Sequence, residues 1–234
     1  MIINTDAIVL KTFSYGETSL ISRCFTKDKG KISFIIKGAK SKKNLISPYF
    51  QPLSFINIIF KENEKRELQI VSKVSFVQIW TQIPLSLRKM SLLQSILEIS
   101  DFALEKNDPY PDLFNILINT FQIFESGEIN ENILFWNYEC KILSEMGFMI
   151  NIEDSSNSEL LNLKANDKII NTIQQLINGN ISDIDLDNIS LDNKKKISKF
   201  LYHKLCFYFE GFERLKSFFS RTMVFESISA QKIL

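Results

Sequence analysis

The sequence predicts a small β-barrel followed by an all-helical domain. Up to Trp80, apolar residues recur with a period of two, in short runs rich in β-branched and aromatic residues. From Pro84 onward the period becomes about 3.6, which is typical of amphipathic helices. Residues 1–80 hold 13 Lys and Arg against 6 Asp and Glu, whereas residues 81–234 hold 15 against 21. This division of charge predicts a polyanion-binding part joined to a part with another task.

Five strands are predicted within residues 1–80. They are separated by turn residues, among them Gly16, Gly30, Pro48 and Pro52. The predicted strands are Ile2–Phe13, Leu20–Thr26, Lys31–Gly38, Leu53–Phe60 and Glu67–Ile79. This number and spacing match the five-stranded OB barrel, whose open strands commonly bind nucleic acid or oligosaccharide. We therefore predict an OB-fold nucleic-acid-binding domain, with an SH3-like barrel as the nearest alternative.

The helical domain is predicted over residues 81–234. Its first helix should begin at Pro84, because proline suits the first turn, and should end before Asn107-Asp108-Pro109. Residues 151–192 are polar and acidic, and we predict a surface insertion there with one helix at Asp167–Ile177. The remaining predicted helices are Pro111–Glu125, Glu131–Met146 closed by Gly147, and Asn193–Phe209 closed by Gly211.

The cysteines and the apolar runs indicate a cytoplasmic protein. Cys24, Cys140 and Cys206 are far apart and form no CxxC pair, so they predict neither a disulfide framework nor a zinc site. No apolar run approaches the length of a membrane span, and the first residues lack a signal-peptide pattern. We expect no membrane partner.

No catalytic motif is recognisable in the sequence. It lacks GxxxxGK[ST], GxGxxG and GxSxG patterns. His203 is the only histidine, which is too few for a two-histidine metal site. The run Asp183-x-Asp185-x-Asp187 resembles the opening of a calcium loop but lacks that loop's glycine and its final glutamate. We predict a protein that is not an enzyme, and an enzyme of unrecognised type is the alternative with the least support.

The basic segment Arg23–Lys43 gives the strongest indication of binding. It holds eight Lys and Arg against one acid, Asp28. If the barrel gathers these residues on one rim, they form a track for phosphates that tolerates any base sequence, and the alternative is a solvated loop. The predicted nucleic-acid-binding residues are Arg23, Lys27, Lys37, Lys40, Lys42 and Lys43.

Aromatic residues have two possible roles in each part of the chain. In the barrel, the aromatic residues either stack on bases or fill the core, and those concerned are Phe25, Phe34, Tyr49 and Phe50. In the last helix, Phe200–Phe209 is apolar on more than one face, so it either packs centrally or exposes a groove for a partner's aromatic peptide.

Several stretches together resemble the bacterial RecO family of DNA repair and recombination mediators. The N-terminal ones are AIVLKTFSYGETSLI (7–21), FTKDKGKISFIIKGAK (25–40) and QPL (51–53). ILSEMGF (142–148) and LKSFFS (215–220) follow in the family's order, whereas residues 151–192 match poorly.

The resemblance implies an OB domain joined to a helical domain, in a non-enzymatic, nucleoid-associated protein that binds single- and double-stranded DNA. It further implies that the protein anneals complementary strands and engages the C-terminal tail of single-stranded-DNA-binding protein. With RecR, it would help RecA replace that protein on DNA. By position, Lys37 and Lys40 fall in the family's KGAR/K element. An RNA-binding OB-fold factor of RNA metabolism is the alternative.

One departure from the family concerns zinc. Many members carry a four-cysteine zinc site just after the GF landmark, whereas MINIEDSSNSELLNL (149–163) contains no cysteine. We therefore predict no zinc and no other cofactor.

Overall fold

A computed structural model describes residues 1–41, 45–148, 150, 167–179 and 181–215. Contacts divide the chain into two compact units, Met1–Asn115 and Ile116–Lys216. The division of the sequence into domains at residues 80 and 81 stays a prediction. None of the helices in the described ranges is both long enough and apolar enough to cross a membrane.

The barrel has five strands, β1 (Ile2–Tyr15), β2 (Ser19–Thr26), β3 (Gly30–Ile36), β4 (Phe55–Lys61) and β5 (Leu68–Gln78). They follow one another in the order β1-β2-β3-β5-β4, and β4 pairs with β1 to close the barrel. All neighbours are antiparallel except β3 and β5, which are parallel. A closed five-stranded barrel followed by helices confirms the predicted fold class, and each strand boundary lies within two residues of its prediction.

The inward side chains of these strands form the barrel core. Along β3, buried and partly exposed residues alternate strictly, as a strand with one face inward requires. Phe34 meets Phe60 edge to face inside the barrel, with ring centroids 5.1 Å apart. Phe34 and Phe50 therefore belong to the core cluster, whereas Tyr49 packs at its edge and stacks on Phe76 at 4.4 Å.

A second apolar layer covers part of the outer face of the barrel. Ile8 and Leu10 of β1 are buried there although they do not belong to the interior cluster. Phe25 is fully buried against Phe114, with ring centroids 5.4 Å apart, so it is a core residue. The indole N–H of Trp80 donates to the carbonyl oxygen of Leu53 at 2.9 Å.

Five helices follow the barrel in the described ranges. They are α1 (Leu87–Ala103), α2 (Pro111–Ser126), α3 (Glu131–Glu145), α4 (Asp167–Asn178) and α5 (Leu191–Tyr208). The predicted start of α1 at Pro84 is wrong, because Ile83–Leu85 forms a separate 3-10 turn. Ser86 caps α1 instead, its hydroxyl oxygen accepting from the backbone N–H of Lys89 at 3.2 Å.

The second unit packs α3 against α4 and α5. The Trp136 indole N–H donates to the Ser198 hydroxyl at 2.8 Å, which joins α3 to α5. Gly147 ends α3 with φ +82°, a conformation that glycine adopts without strain. Asp185 accepts from the backbone N–H of Asp187 at 3.0 Å and so caps a short turn.

Candidate nucleic-acid interface

Lys37 and Lys40 project from a loop that packs against the barrel core through Ala39. Ala39 is 2% exposed and belongs to the barrel core. Gly38 has φ +68°, so the chain turns there and both flanking lysine side chains are exposed. The element KGAK therefore holds two cations on one corner of the barrel.

The same corner includes the turn between β1 and β2. The backbone N–H of Lys40 donates to the carbonyl of Thr18 at 2.9 Å, and the Lys40 ammonium donates to the carbonyl of Gly16 at 3.2 Å. We call residues 13–19 and 37–41 the hairpin rim. Lys37 and Lys40 are thus placed beside the β1–β2 turn, where OB barrels commonly bind oligonucleotides.

Lys27 and Lys29 lie at the opposite end of the β2–β3 hairpin. The pairing of Thr26 with Gly30 places the connecting turn there, whereas Leu20 pairs with Ile36 at the end next to Lys37. At about 3.3 Å per residue, roughly 20 Å separates the two ends. Lys27 is exposed, and the Lys29 ammonium lies 2.9 Å from the Glu62 carboxylate. The structure therefore does not gather all the predicted cations on one rim.

Arg23 and Lys31 converge on Asp101 near the end of α1. The Arg23 guanidinium lies 2.5 Å from the Asp101 carboxylate, and the Lys31 ammonium donates to the backbone carbonyl of Asp101. Burial lowers the pKa of Lys31, and the negative charge of Asp101 opposes part of this shift. Arg23 is thus already engaged by a carboxylate. The two other predicted residues, Lys42 and Lys43, lie outside the described residues.

Three exposed side chains on the outer face of β1 were not part of the site prediction: Phe13 and Tyr15 belong to the hairpin rim, and Lys11 lies just before it. Lys11 is exposed, Phe13 is 40% exposed and Tyr15 is 51% exposed. They occupy every second position of the strand, so their side chains point to the same face of the sheet. A signal for them exists in the sequence, because Lys11, Phe13 and Tyr15 stand at a period of two directly before the turn at Gly16.

A groove of about 190 Å³ lies further along β3, beside the β4–β5 turn. Its lining carries four basic and two acidic side chains, namely Lys31, Lys65, Arg66, Lys106, Glu64 and Glu67. The outer face of β3 thus runs from Lys37 at one end to a second, weakly basic region at the other.

The residues present do not fit the four-cysteine zinc site that the resemblance raised as a possibility. After Phe148 the sequence has no cysteine before Cys206, so four thiolates cannot be supplied there. In the described part of the chain, no three His, Cys, Asp or Glu side chains are grouped as a metal ion would require. Burial raises the pKa of the Cys24 thiol to about 12, so Cys24 stays protonated at neutral pH.

Comparison with known proteins gives matches along two successive parts of the chain. Residues 1–80 match the model of the recombination protein O N-terminal domain, and residues 84–161 match that of the C-terminal domain. Similar curated proteins include the DNA repair protein RecO of Salinibacter ruber, 31% identical over 137 residues. Those of Chloroherpeton thalassium and Alkaliphilus metalliredigens are 26% identical over 153 residues and 28% identical over 147 residues.

The similarity covers a limited part of each protein. The aligned residues are 58%, 65% and 63% of this chain for the three relatives, in that order, and 52%, 59% and 59% of the relatives themselves. The two family models together match more than half of the chain, in the order that the barrel and the helices follow. The chain therefore belongs to the RecO family.

Proposed function

We propose that this protein is a DNA repair and recombination mediator that works by binding DNA, single- and double-stranded, in the cytoplasm. The observation that carries the proposal is the hairpin rim, where Lys37 and Lys40 are both exposed beside the β1–β2 turn of an OB-type barrel. Family membership supports it, since the relatives are named DNA repair proteins.

The charge around the rim supports phosphate binding. Residues 11–25 and 31–41 contain five Lys and Arg, and Glu17 is their only acid. Lysines that neutralise phosphates release condensed counterions, which gives affinity without regard to base sequence. Lys42 and Lys43, the other predicted cations, are the next basic residues in the sequence, whereas Lys27 and Arg23 would contact a strand only if it reached beyond the rim.

Such a surface can promote annealing without a catalytic residue. Two DNA strands repel each other through their phosphates, and a basic surface that holds both lowers this repulsion. We propose that the barrel brings complementary strands together in this way. The acidic helical part would then contact proteins: RecR, the C-terminal tail of single-stranded-DNA-binding protein and, indirectly, RecA.

The first test measures the affinity for a fluorescent single-stranded DNA over a series of salt concentrations. The Lys37→Glu/Lys40→Glu variant should bind more weakly, and the slope of log K against log salt should flatten by about 1.4, because each phosphate contact in single strands contributes about 0.7. The matched control is Lys61→Glu/Lys73→Glu, which makes the same charge change at exposed positions of β4 and β5.

Four outcomes decide the proposal. Weaker binding of the rim variant alone supports the site, whereas equal weakening of both variants would show that only net charge matters. No binding by the unmodified protein, even at low salt, would refute DNA binding. RNA of the same sequence is measured in parallel, and a clear preference for RNA would favour an RNA-binding factor instead.

A further inference from the structure

Two aromatic rings on the hairpin rim are exposed in a protein that buries most of its barrel aromatics. Phe25, Phe34 and Phe50 are fully buried, whereas Phe13 is 40% exposed and Tyr15 is 51% exposed. Both exposed rings stand on the outer face of β1, two residues apart. That distance corresponds to roughly 7 Å along the strand.

The neighbouring strands place an apolar row beside Phe13. Phe13 pairs with Ile21 of β2, Ile21 pairs with Ile35 of β3, and Ile35 pairs with Ile70 of β5. Ile21 is buried and Ile70 is 39% exposed. An apolar row therefore crosses four strands of the barrel and leads to Phe13. Side chains on paired strands are held more firmly than those on loops, which lowers the entropy lost when a ligand binds.

Cations flank the rings on both sides. Lys11 precedes Phe13 on the same face of β1. Lys37 is the first residue after β3, whose last residue, Ile36, pairs with Leu20. Tyr15 pairs with Ser19 at that end. A ligand that suits both the rings and the lysines must carry flat apolar surfaces and negative charges in alternation. Unpaired DNA has this chemistry, whereas a duplex hides the faces of its bases.

We propose that Phe13 and Tyr15 are a stacking platform for the bases of single-stranded DNA, while Lys37 and Lys40 hold the adjoining phosphates. This inference rests on the proposed function and adds to it the residues that recognise bases. The two rings would make the hairpin rim prefer unpaired strands, because they add to the binding affinity only where the faces of the bases are accessible. Tyr15 and Phe13 act through their rings, so Tyr15→Phe should bind as the unmodified protein does.

The test compares an oligothymidylate with an abasic deoxyribose-phosphate chain of equal length. The unmodified protein should bind the oligothymidylate more tightly. Phe13→Val and Tyr15→Val should each weaken that binding about fivefold or more, as loss of base stacking does in other single-strand binders. The salt slope should not change, since no charge is removed, and binding of the abasic chain should stay the same. Valine is chosen because it keeps the strand preference.

A second readout uses the unmodified protein, so it does not depend on whether a variant folds. Photo-cross-linking with a 5-iododeoxyuridine oligonucleotide should label the tryptic peptide of residues 12–23, which contains both rings. Weaker base-dependent binding by the valine variants together with this cross-link supports the platform. If the valine variants bind as tightly as the unmodified protein and another peptide is labelled, the platform is refuted, while DNA binding through Lys37 and Lys40 stands. If the unmodified protein binds neither oligonucleotide, both proposals fail.

Discussion

Arg23 on β2 and Asp101 on α1 form an ion pair, with Nη1 and Oδ2 2.5 Å apart. The side chain of Asp101 is only 15% exposed and that of Arg23 is 34% exposed, so the pair is partly shielded from water. Lys31 donates to the backbone carbonyl of the same aspartate. Cations from two adjacent strands thus fasten the last turns of α1 to the barrel.

This ion pair predicts a loss of stability when its acid is neutralised. Asp101→Asn should lower the free energy of unfolding by about 1.5–3 kcal/mol, because hydrogen bonds to charged groups contribute about that much and Arg23 would lose its charged partner. Urea denaturation measures the change. The control is Asp192→Asn, whose partner Lys196 is 2.7 Å away but whose side chain is 72% exposed. That control should cost at most about 1 kcal/mol, and equal losses in the two variants would contradict the role given to Asp101.

Gly30 occupies a position that no other residue should tolerate. Its φ is +66°, and an added Cβ would lie 1.9 Å from the carbonyl oxygen of Asp108. Gly30→Ala should therefore lower the free energy of unfolding by at least about 2 kcal/mol, since backbone strain alone costs about 1–3 kcal/mol. Gly16 is the matched control, with φ +58° and no atom within 4 Å of an added Cβ. If Gly16→Ala destabilises the protein as much in a thermal melt, the contact with Asp108 is not the cause.

Glu17 is the only acid among the residues of the hairpin rim, 13–19 and 37–41, and it should weaken DNA binding. Glu17→Gln removes its repulsion of phosphates, so the affinity for single-stranded DNA at low salt should rise by about two- to fivefold, as expected for one exposed charge. The gain should shrink as salt screens the charge. Anisotropy titrations measure both effects. Glu128→Gln makes the same change at an exposed residue of the second unit and should leave the affinity unaltered.

The buried thiol of Cys24 should make the folded protein less stable in alkaline solution. Burial raises the pKa of its thiol from 9.0 to about 12 in the folded state. The folded pKa is the higher one, so this contribution to stability is complete below pH 9 and is lost as pH rises toward 12. Between pH 8 and pH 10 the loss should be about 1.4 kcal/mol, because an unfolded thiol ionises over that range.

Urea denaturation at pH 8 and pH 10 tests this prediction. Cys24→Ala removes the titrating group, so its free energy of unfolding should fall by about 1.4 kcal/mol less over that interval than that of the unmodified protein. The comparison uses the change with pH and not the absolute stability, which the cavity also lowers. Equal pH dependence in the two proteins would exclude Cys24 as the source.

The elements of the fold could be predicted from local patterns. Alternation of apolar residues predicted all five strands, and the change of period near Pro84 predicted that helices follow them. Turn residues such as Gly16 and Gly30 gave the boundaries, because their backbone requirements depend on the chain immediately around them. The start of α1 was the exception. Proline favours a first helical turn, but here Pro84 lies in a separate 3-10 turn and Ser86 supplies the cap.

The sequence by itself thus determined the barrel, the helices, the family and the concentration of positive charge in Arg23–Lys43. Only the tertiary structure decided which of those cations lie together. Lys27 and Lys37 are ten residues apart in one basic segment, yet strand pairing places them at opposite ends of a hairpin. Arg23 meets an acid 78 residues further along the chain. Phe13 and Phe25 belong to similar strand patterns, but only Phe25 is covered by Phe114. Local patterns specify the direction of a side chain within its own element, whereas its neighbours depend on strand register and packing between distant segments.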